Sequence, residues 1–316
     1  MTLEYLKKAT LTARSDQTDV REAVGTMLQE IAEGGDDVAR DYAKRFDGWD
    51  GPVFVTEEEI AKAADAVPAR LRDDIRFAHD NVRRFAEAQR ATVQDCELEV
   101  IPGLLAGQKQ IPVQAAGCYV PGGRYSHIAS AIMTVTTAKV AGVEHIAAAS
   151  PPKPGEGIPA AIIFAMDLCG ADKILNLGGV QGVAAMAGGL FGLPAADIVV
   201  GPGNQYVAEA KRILYGQIGI DMFAGPTDLL VVADETADPE MVAVDLVGQA
   251  EHGYNSPVWL VTSDRGLAES VMKRVPELIA ELPNLNAENA ARAWADYAEV
   301  MVAEDRVEMV QAARAI

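Results

Sequence analysis

From residue 111 onward, short apolar runs alternate with stretches of helical spacing. The runs AAGCYV (115–120), HIAAAS (145–150), KILNL (173–177), DIVV (197–200), LLVVAD (229–234), VWLVT (258–262) and AEVMVA (298–303) are of strand length and read as strands. Between them lie helical patterns with recognisable ends. IASAIMTVTTAKVAG (128–142) stops at Gly142, and PAAIIFAMDLCG (159–170) has proline at its start and glycine at its end. VAAMAGG (183–189), QYVAEAKRILYG (205–216), LAESVMKRVPELIAEL (267–282) and RVEMVQAARAI (306–316) follow the same spacing, and Asp238 caps PEMVAVDLVGQAEHG (239–253). Strands alternating with helices predict a parallel sheet covered on both faces. Residues 1–110 read differently, as charged helices: VREAVGTMLQEIAEGG with a glycine stop, then two helices in EEEIAKAADAVPARLRDDIRFAHDNVRRFAEAQ, the second opened by Pro68. His79, in that second helix, and His145, at a strand start, receive no role.

Composition narrows the class. A chain of 316 residues, 49% hydrophobic and 23% charged, is globular and long enough for two lobes. The net charge of −19 argues against nucleic acid and anionic membranes as partners, though not against a local pocket for a small anion. Cys96, Cys118 and Cys169 show no C-x-x-C spacing, which fits a reducing compartment. MTLEYLKKATLTARSD lacks an apolar core of signal-peptide length, and no apolar run reaches the roughly 18 residues of a membrane span. A cytoplasmic protein is expected.

Candidate chemistry gathers where the strands end. The loops PGG, PPKPGEG, GGVQG, GPGN and AGPTD follow successive strands, on the edge where parallel sheets bind ligands. Backbone N–H groups at the helix starts suit anions. GPGNQYVAEAKR supplies Gly201 and Gly203 of a dinucleotide fingerprint but has Tyr206 in place of the third glycine; Asp221, eighteen residues past Gly203, is available as a ribose acid. A structural turn and a cofactor loop both stay open. Gln181 and Asn204 are uncharged hydrogen-bonding side chains read at loop tips, and Asn204 is equally a helix N-cap.

Gln249 and His252, in DLVGQAEHG, stand one helical turn apart, so an amide oxygen and an imidazole could reach one metal ion. The pair alone favours a plain helix end, with His252 favourable at the dipole and Gly253 as the residue after the cap. No third ligand of matching spacing is present.

Five motifs change that weighting. GCYVPGG, LCGADKILNLGGVQG, IVVGPGNQYVAEAKR, IDMFAGPTDLLVVAD and DLVGQAEHG, in this order, resemble the histidinol dehydrogenase family, and the resemblance runs from near residue 20 to the end. It implies an α/β fold of two Rossmann-like lobes with mostly parallel sheets, plus N-terminal helices. The expected organisation is a helical region, 1–110, packed on the second lobe; an NAD-binding lobe, 111–228; and a second lobe, 229–316, with half of a zinc site. The resemblance implies NAD contacts at Tyr119, Gln181 and Asn204, zinc and substrate contacts at Gln249 and His252, and a substrate contact at Thr227, where the family usually has serine. Asp228 follows where the family has glutamate. It also implies oxidation of a primary alcohol to a carboxylate in two hydride transfers, and a homodimer.

Two departures matter. In PGGRYSHIAS, Arg124, Tyr125 and His127 open a helix where the family usually has small or apolar residues. Arginine with a helix N-terminus suits a small oxyanion, whereas a solvated loop arginine and a capping histidine are the plain alternative. GGRYSHIAS, PKPGEGIP and VAVDLVGQAEHG are similar to the sulfopropanediol dehydrogenase branch, which oxidises 2,3-dihydroxypropane-1-sulfonate to sulfolactate; Arg124 and His127 are then expected on the anionic end of the substrate. The alternatives are oxidation of L-histidinol to L-histidine and a non-catalytic nucleotide-binding module. The second departure is at the end: the family's adjacent catalytic glutamate and histidine, and its remaining aspartate and histidine zinc ligands, have no counterpart up to Ile316. A longer protein is expected, and the catalytic acid–base pair is unassigned.

Overall fold

The computed structural model describes residues 3–11, 17–122, 127–223 and 227–316, the side chains of 17–19 and 285 aside. Contacts divide the chain into two units, Gln17–Gly225 and Met1–Asp16 with Pro226–Ile316.

The first strand, β1 (Glu4–Lys7), belongs to the second of these units. The first unit begins with α1 (Gln17–Tyr42), which breaks at Gly35, φ 63°, where the glycine stop was expected, and then resumes. A π-helical turn, Ala43–Asp47, follows and ends at left-handed Gly48. A capping box opens α2 (Glu57–Ala66): the Thr56 hydroxyl accepts from the Glu59 N–H, and the Glu59 carboxylate accepts from the Thr56 N–H at 2.7 Å. Pro68 precedes α3 (Ala69–Ala91). Next come β2 (Cys96–Ile101) and β3 (Leu104–Gln108), an antiparallel hairpin exposed at every position. The all-helical expectation for 1–110 therefore fails at β1 and at this hairpin, where CELEV alternates with the period of a strand.

The central part of this unit runs β4 (Ala115–Tyr119), α4 (Ile128–Ala141), β5 (His145–Ser150), α5 (Ala160–Cys169), β6 (Lys173–Asn176), α6 (Gly179–Gly188), β7 (Ile198–Val200), α7 (Gln205–Leu214) and β8 (Gly219–Ile220). Among the described residues these strands form a five-stranded parallel sheet of order β6-β5-β4-β7-β8. Period-two alternation sorts the strand side chains between two cores. Ala116, Cys118, Ile146, Ala148 and Ile174 pack with α4 and α5, whereas Tyr119, Ala149, Leu175 and Val199 pack with α6 and α7. The N-terminal helices complete these layers: α2 and α3 lie on α4 and α5, and α1 lies on α6 and α7. They were expected on the second lobe. They pack here because Ala63, Ile75, Ile60 and Leu71 supply the apolar cover over one core, and Val24 and Leu28 over the other. Beyond β6, residues 53–55 run antiparallel to it: the Val55 N–H donates to the Ile174 carbonyl at 2.9 Å, and the Asn176 N–H to the Val53 carbonyl at 2.7 Å. This strap covers an otherwise open sheet edge.

The second unit continues β9 (Leu229–Ala233), α8 (Pro239–Ala250), β10 (Val258–Thr262), α9 (Arg265–Glu281), α10 (Asn284–Tyr297), β11 (Glu299–Val302) and α11 (Arg306–Ala315). Its described strands order as β1-β11-β10-β9, parallel except for β1. Its core joins Leu246, Leu260, Val271 and Val300. The sequence pattern did not mark α10, whose buried residues are Ala290, Ala293 and the polar Asn289. No helix among the described residues is long and apolar enough to cross a membrane.

Candidate active site

In the first unit, β4 is flanked by β5 on one side and β7 on the other, so the strand order reverses between β4 and β7. A parallel sheet opens a crevice at the carboxyl ends of such a pair. Tyr119 ends β4 and is 3% exposed; its hydroxyl accepts the Gly179 N–H at 2.9 Å. Burial pushes the phenol well above its ordinary pKa, so it stays a neutral hydroxyl. Gly201 follows β7 with φ 116°, and a β-carbon there would lie 2.0 Å from the Tyr119 carbonyl oxygen. Only glycine fits both demands.

The loop after β7 is locked from inside. Lys211 has no exposed surface, and its ammonium donates to the Gly201 carbonyl at 2.8 Å and to Asp221 Oδ1 at 2.5 Å. Asp221 Oδ2 accepts the Gly201 N–H at 2.8 Å, and Oδ1 also accepts the Met222 N–H. Both carboxylate oxygens are thus committed to the loop, which corrects the reading of Asp221 as a ribose acid. Asn204 is the N-cap of α7, with its Oδ1 accepting the Tyr206 and Val207 N–H groups at 3.0 and 3.1 Å.

Gln181 lies in the first turn of α6 rather than at a loop tip, and is 1% exposed. Its Nε2 donates to Asp47 Oδ2 at 2.8 Å, and the same oxygen accepts the Gly178 N–H at 2.9 Å. Asp47 comes from the far end of the π-helical turn. Burial raises its pKa from the ordinary carboxylate value, while the bonds from Gly178 and Gln181 pull it the other way. Sequence reading missed Asp47, since no motif surrounds it in the charged N-terminal region. The structure therefore brings Tyr119 and Gln181 together at the start of α6 and places Asn204 at the start of α7.

His127 occupies the N-cap position of α4. Its side chain makes no capping bond, and its carbonyl accepts the Ser130 N–H at 3.1 Å. The capping role weighed for it is thus filled by the backbone alone. Arg124 and Tyr125 lie outside the described residues.

In the second unit α8 ends at Ala250, earlier than its sequence pattern, and His252 sits in the turn beyond it. The spacing of Gln249 and His252 survives, because the His252 N–H donates to the Gln249 carbonyl at 3.2 Å and carries the turn on. Gly253 does not take the left-handed conformation, so the expected glycine stop is absent; Glu251 caps the helix in a helical conformation. Glu251 accepts from Asn286 Nδ2 of α10 at 2.9 Å. Gln249 Nε2 donates to both the carbonyl and the hydroxyl oxygen of Thr227, each at 2.9 Å. With its nitrogen held on that side, the amide presents Oε1 as an acceptor, the atom a metal would take. The donor set fits half of a tetrahedral zinc site: an imidazole, common for zinc, and an amide oxygen, less so. Among the described residues no group of three or more His, Cys, Asp or Glu side chains converges to complete one.

The family model for histidinol dehydrogenase matches residues 11–316. The chain belongs to the histidinol dehydrogenase family. Members of this family are dehydrogenases acting on small molecules. The chain is 65% identical over 309 residues to the sulfopropanediol 3-dehydrogenase of Ruegeria pomeroyi, covering 98% of itself and 71% of that protein. A histidinol dehydrogenase homolog of the same organism is 58% identical over 313 residues, with 99% and 72% covered. The crystal structure of histidinol dehydrogenase from Elizabethkingia anophelis superposes with a TM-score of 0.84 at 31% identity, over 94% of this chain and 67% of that one. The mixed α/β architecture with parallel sheets is thus that of a histidinol dehydrogenase.

Proposed function

We propose that this chain is part of a cytoplasmic, NAD- and zinc-dependent dehydrogenase that oxidises 2,3-dihydroxypropane-1-sulfonate to 3-sulfolactate. The observation that carries the reading is the 65% identity across 98% of the chain to a sulfopropanediol 3-dehydrogenase, against 31% to the histidinol dehydrogenase of known structure. The reaction takes a primary alcohol through an aldehyde to a carboxylate. It consumes one water and two NAD+, and releases two NADH and three protons. Zinc, when bound, supplies Lewis-acid polarisation of the substrate oxygen.

The chain's own residues divide the remaining work. Gln249, through Oε1, and His252 would hold the metal, with the other donors supplied by residues not among those described. Thr227 fixes the Gln249 amide and stands as a substrate contact. Tyr119, Gln181 and Asn204 serve the NAD side. His127, at the N-cap of α4, and Arg124, three positions before it in the sequence, serve the sulfonate, since a guanidinium and helix N–H groups complement an oxyanion. The groups that move protons are unassigned. A homodimer is the expected assembly.

The test is NADH formation by the zinc-loaded, full-length protein with 2,3-dihydroxypropane-1-sulfonate and, separately, L-histidinol. The proposal requires turnover of the sulfonate and little or none of histidinol; the reverse preference would refute it. Within that assay Arg124→Ala is expected to raise KM for the sulfonate about tenfold, the loss of one hydrogen bond to a charged group. An unchanged KM would remove Arg124 from the site.

A further inference from the structure

We infer that Asp47 is a positioning residue for nucleotide binding, setting Gln181 and the first turn of α6 from the strap that follows α1. The inference rests on the NAD-dependent reading above. Three observations carry it. First, one carboxylate oxygen receives both the Gly178 N–H and Gln181 Nε2, at 2.9 and 2.8 Å, so it fixes backbone and side chain of the same turn. Second, the fit is mutual: a β-carbon on Gly178 would lie 2.6 Å from Asp47 Oδ1, so the glycine admits the carboxylate. Third, the strap that begins at Asp47 is itself anchored. Residues 53–55 pair with β6, and the Pro52 carbonyl accepts from Asn176 Nδ2 at 3.2 Å. The carboxylate is therefore delivered by a segment fixed to the strand that leads into α6.

A simple helix cap would explain the bond from Gly178. Gly178 has no side chain to cap α6, and an anion at a helix N-terminus is favourable. It does not explain the bond from Gln181, which satisfies a side chain that is 1% exposed and orients its amide. Nor does ion pairing explain Asp47, since among the described residues no cation is paired with it.

The experiment measures NAD affinity by titration calorimetry on the full-length protein and its Asp47→Ala, Asp47→Asn and Asp47→Glu variants, with KM for NAD and for the alcohol in parallel. Asp47→Ala removes both bonds that fix this turn and should weaken NAD about tenfold, an effect the size of one hydrogen bond to a charged group. Asp47→Asn should recover to within a few-fold, because its amide oxygen still accepts. The change should fall on KM for NAD and not on KM for the alcohol. NAD affinity unchanged in Asp47→Ala would overturn the inference while leaving the NAD-dependent reading standing. Equal rises in both KM values, with a lowered Tm, would reduce Asp47 to a structural cap and also overturn it. If the alanine variant does not fold, Asp47→Glu decides: a carboxylate displaced by one methylene must weaken NAD several-fold, and wild-type affinity overturns the inference. A wild-type protein that binds no NAD would overturn both.

Discussion

Lys211 shows what a single side chain does for the loop after β7. An ammonium with no exposed surface is tolerable only because the Gly201 carbonyl and Asp221 receive its protons. Lys211→Met removes the charge and leaves the Asp221 carboxylate with backbone partners alone. The expected loss is about 3 kcal/mol, the low end for breaking a buried pair because Asp221 is partly exposed. A urea midpoint equal to that of the wild type would show that the ammonium is dispensable. Asp47 makes a prediction about pH. Burial raises its folded pKa, so the folded state holds its proton more tightly than the unfolded chain. Its contribution to stability is fully present below the ordinary carboxylate pKa and is lost as pH rises through the raised value. Stability of Asp47→Asn should therefore fall less than that of the wild type over this window; parallel denaturant curves for the two would contradict it. Neither residue's role was legible in the sequence. Asp47 meets its partners across more than a hundred positions, and the distance of Asp221 from Gly203 left a cofactor loop and a structural turn open, of which the hydrogen bonds of Asp221 show the turn.

At the scale of elements the sequence speaks clearly wherever one period dominates. HIAAAS and VWLVT coincide with β5 and β10, and GPGNQYV opens α7 at the residue expected from its N-cap. It is quieter where a segment's pattern is short or carried by small side chains. The first strand has four residues and finds its partner near the far end of the chain, in β11. The interior face of α10 carries Ala290, Ala293 and a buried Asn289, so few large apolar side chains mark it in the sequence. The β2–β3 hairpin has the alternation of a strand but no buried side to confirm it. A two-stranded hairpin on its own is marginally stable in water. Amide hydrogen exchange should reflect this: the hairpin is expected to exchange orders of magnitude faster than β4 and the inner part of β5, whose residues are largely buried. Equal protection in both would mean that the hairpin is covered in solution.

At the scale of the whole molecule, a net charge of −19 leaves cationic side chains with local work, and Lys211 is the clearest case. The Gly-rich loops signalled a ligand edge, and the sheet of the first unit does reverse its strand order between β4 and β7. No spacing could say which polar residues on that edge face inward. The two groups of proposed ligand residues fall in different units: Tyr119, Gln181 and Asn204 in one, Thr227, Gln249 and His252 in the other. On the proposed reading, NAD and zinc each stabilise the folded protein by mass action, about 2.7 kcal/mol for a ligand at a hundred times its dissociation constant. His252→Ala removes the imidazole donor and leaves the sequence of the unit that holds the residues proposed for NAD unchanged. The variant should therefore lose the rise in Tm on adding zinc while keeping the rise on adding NAD. Gln181→Ala should do the reverse. If either variant lost both shifts, the two groups would not be separate binding determinants; if His252→Ala kept its zinc shift, the metal would be held elsewhere and Gln249 and His252 would return to being the end of a helix.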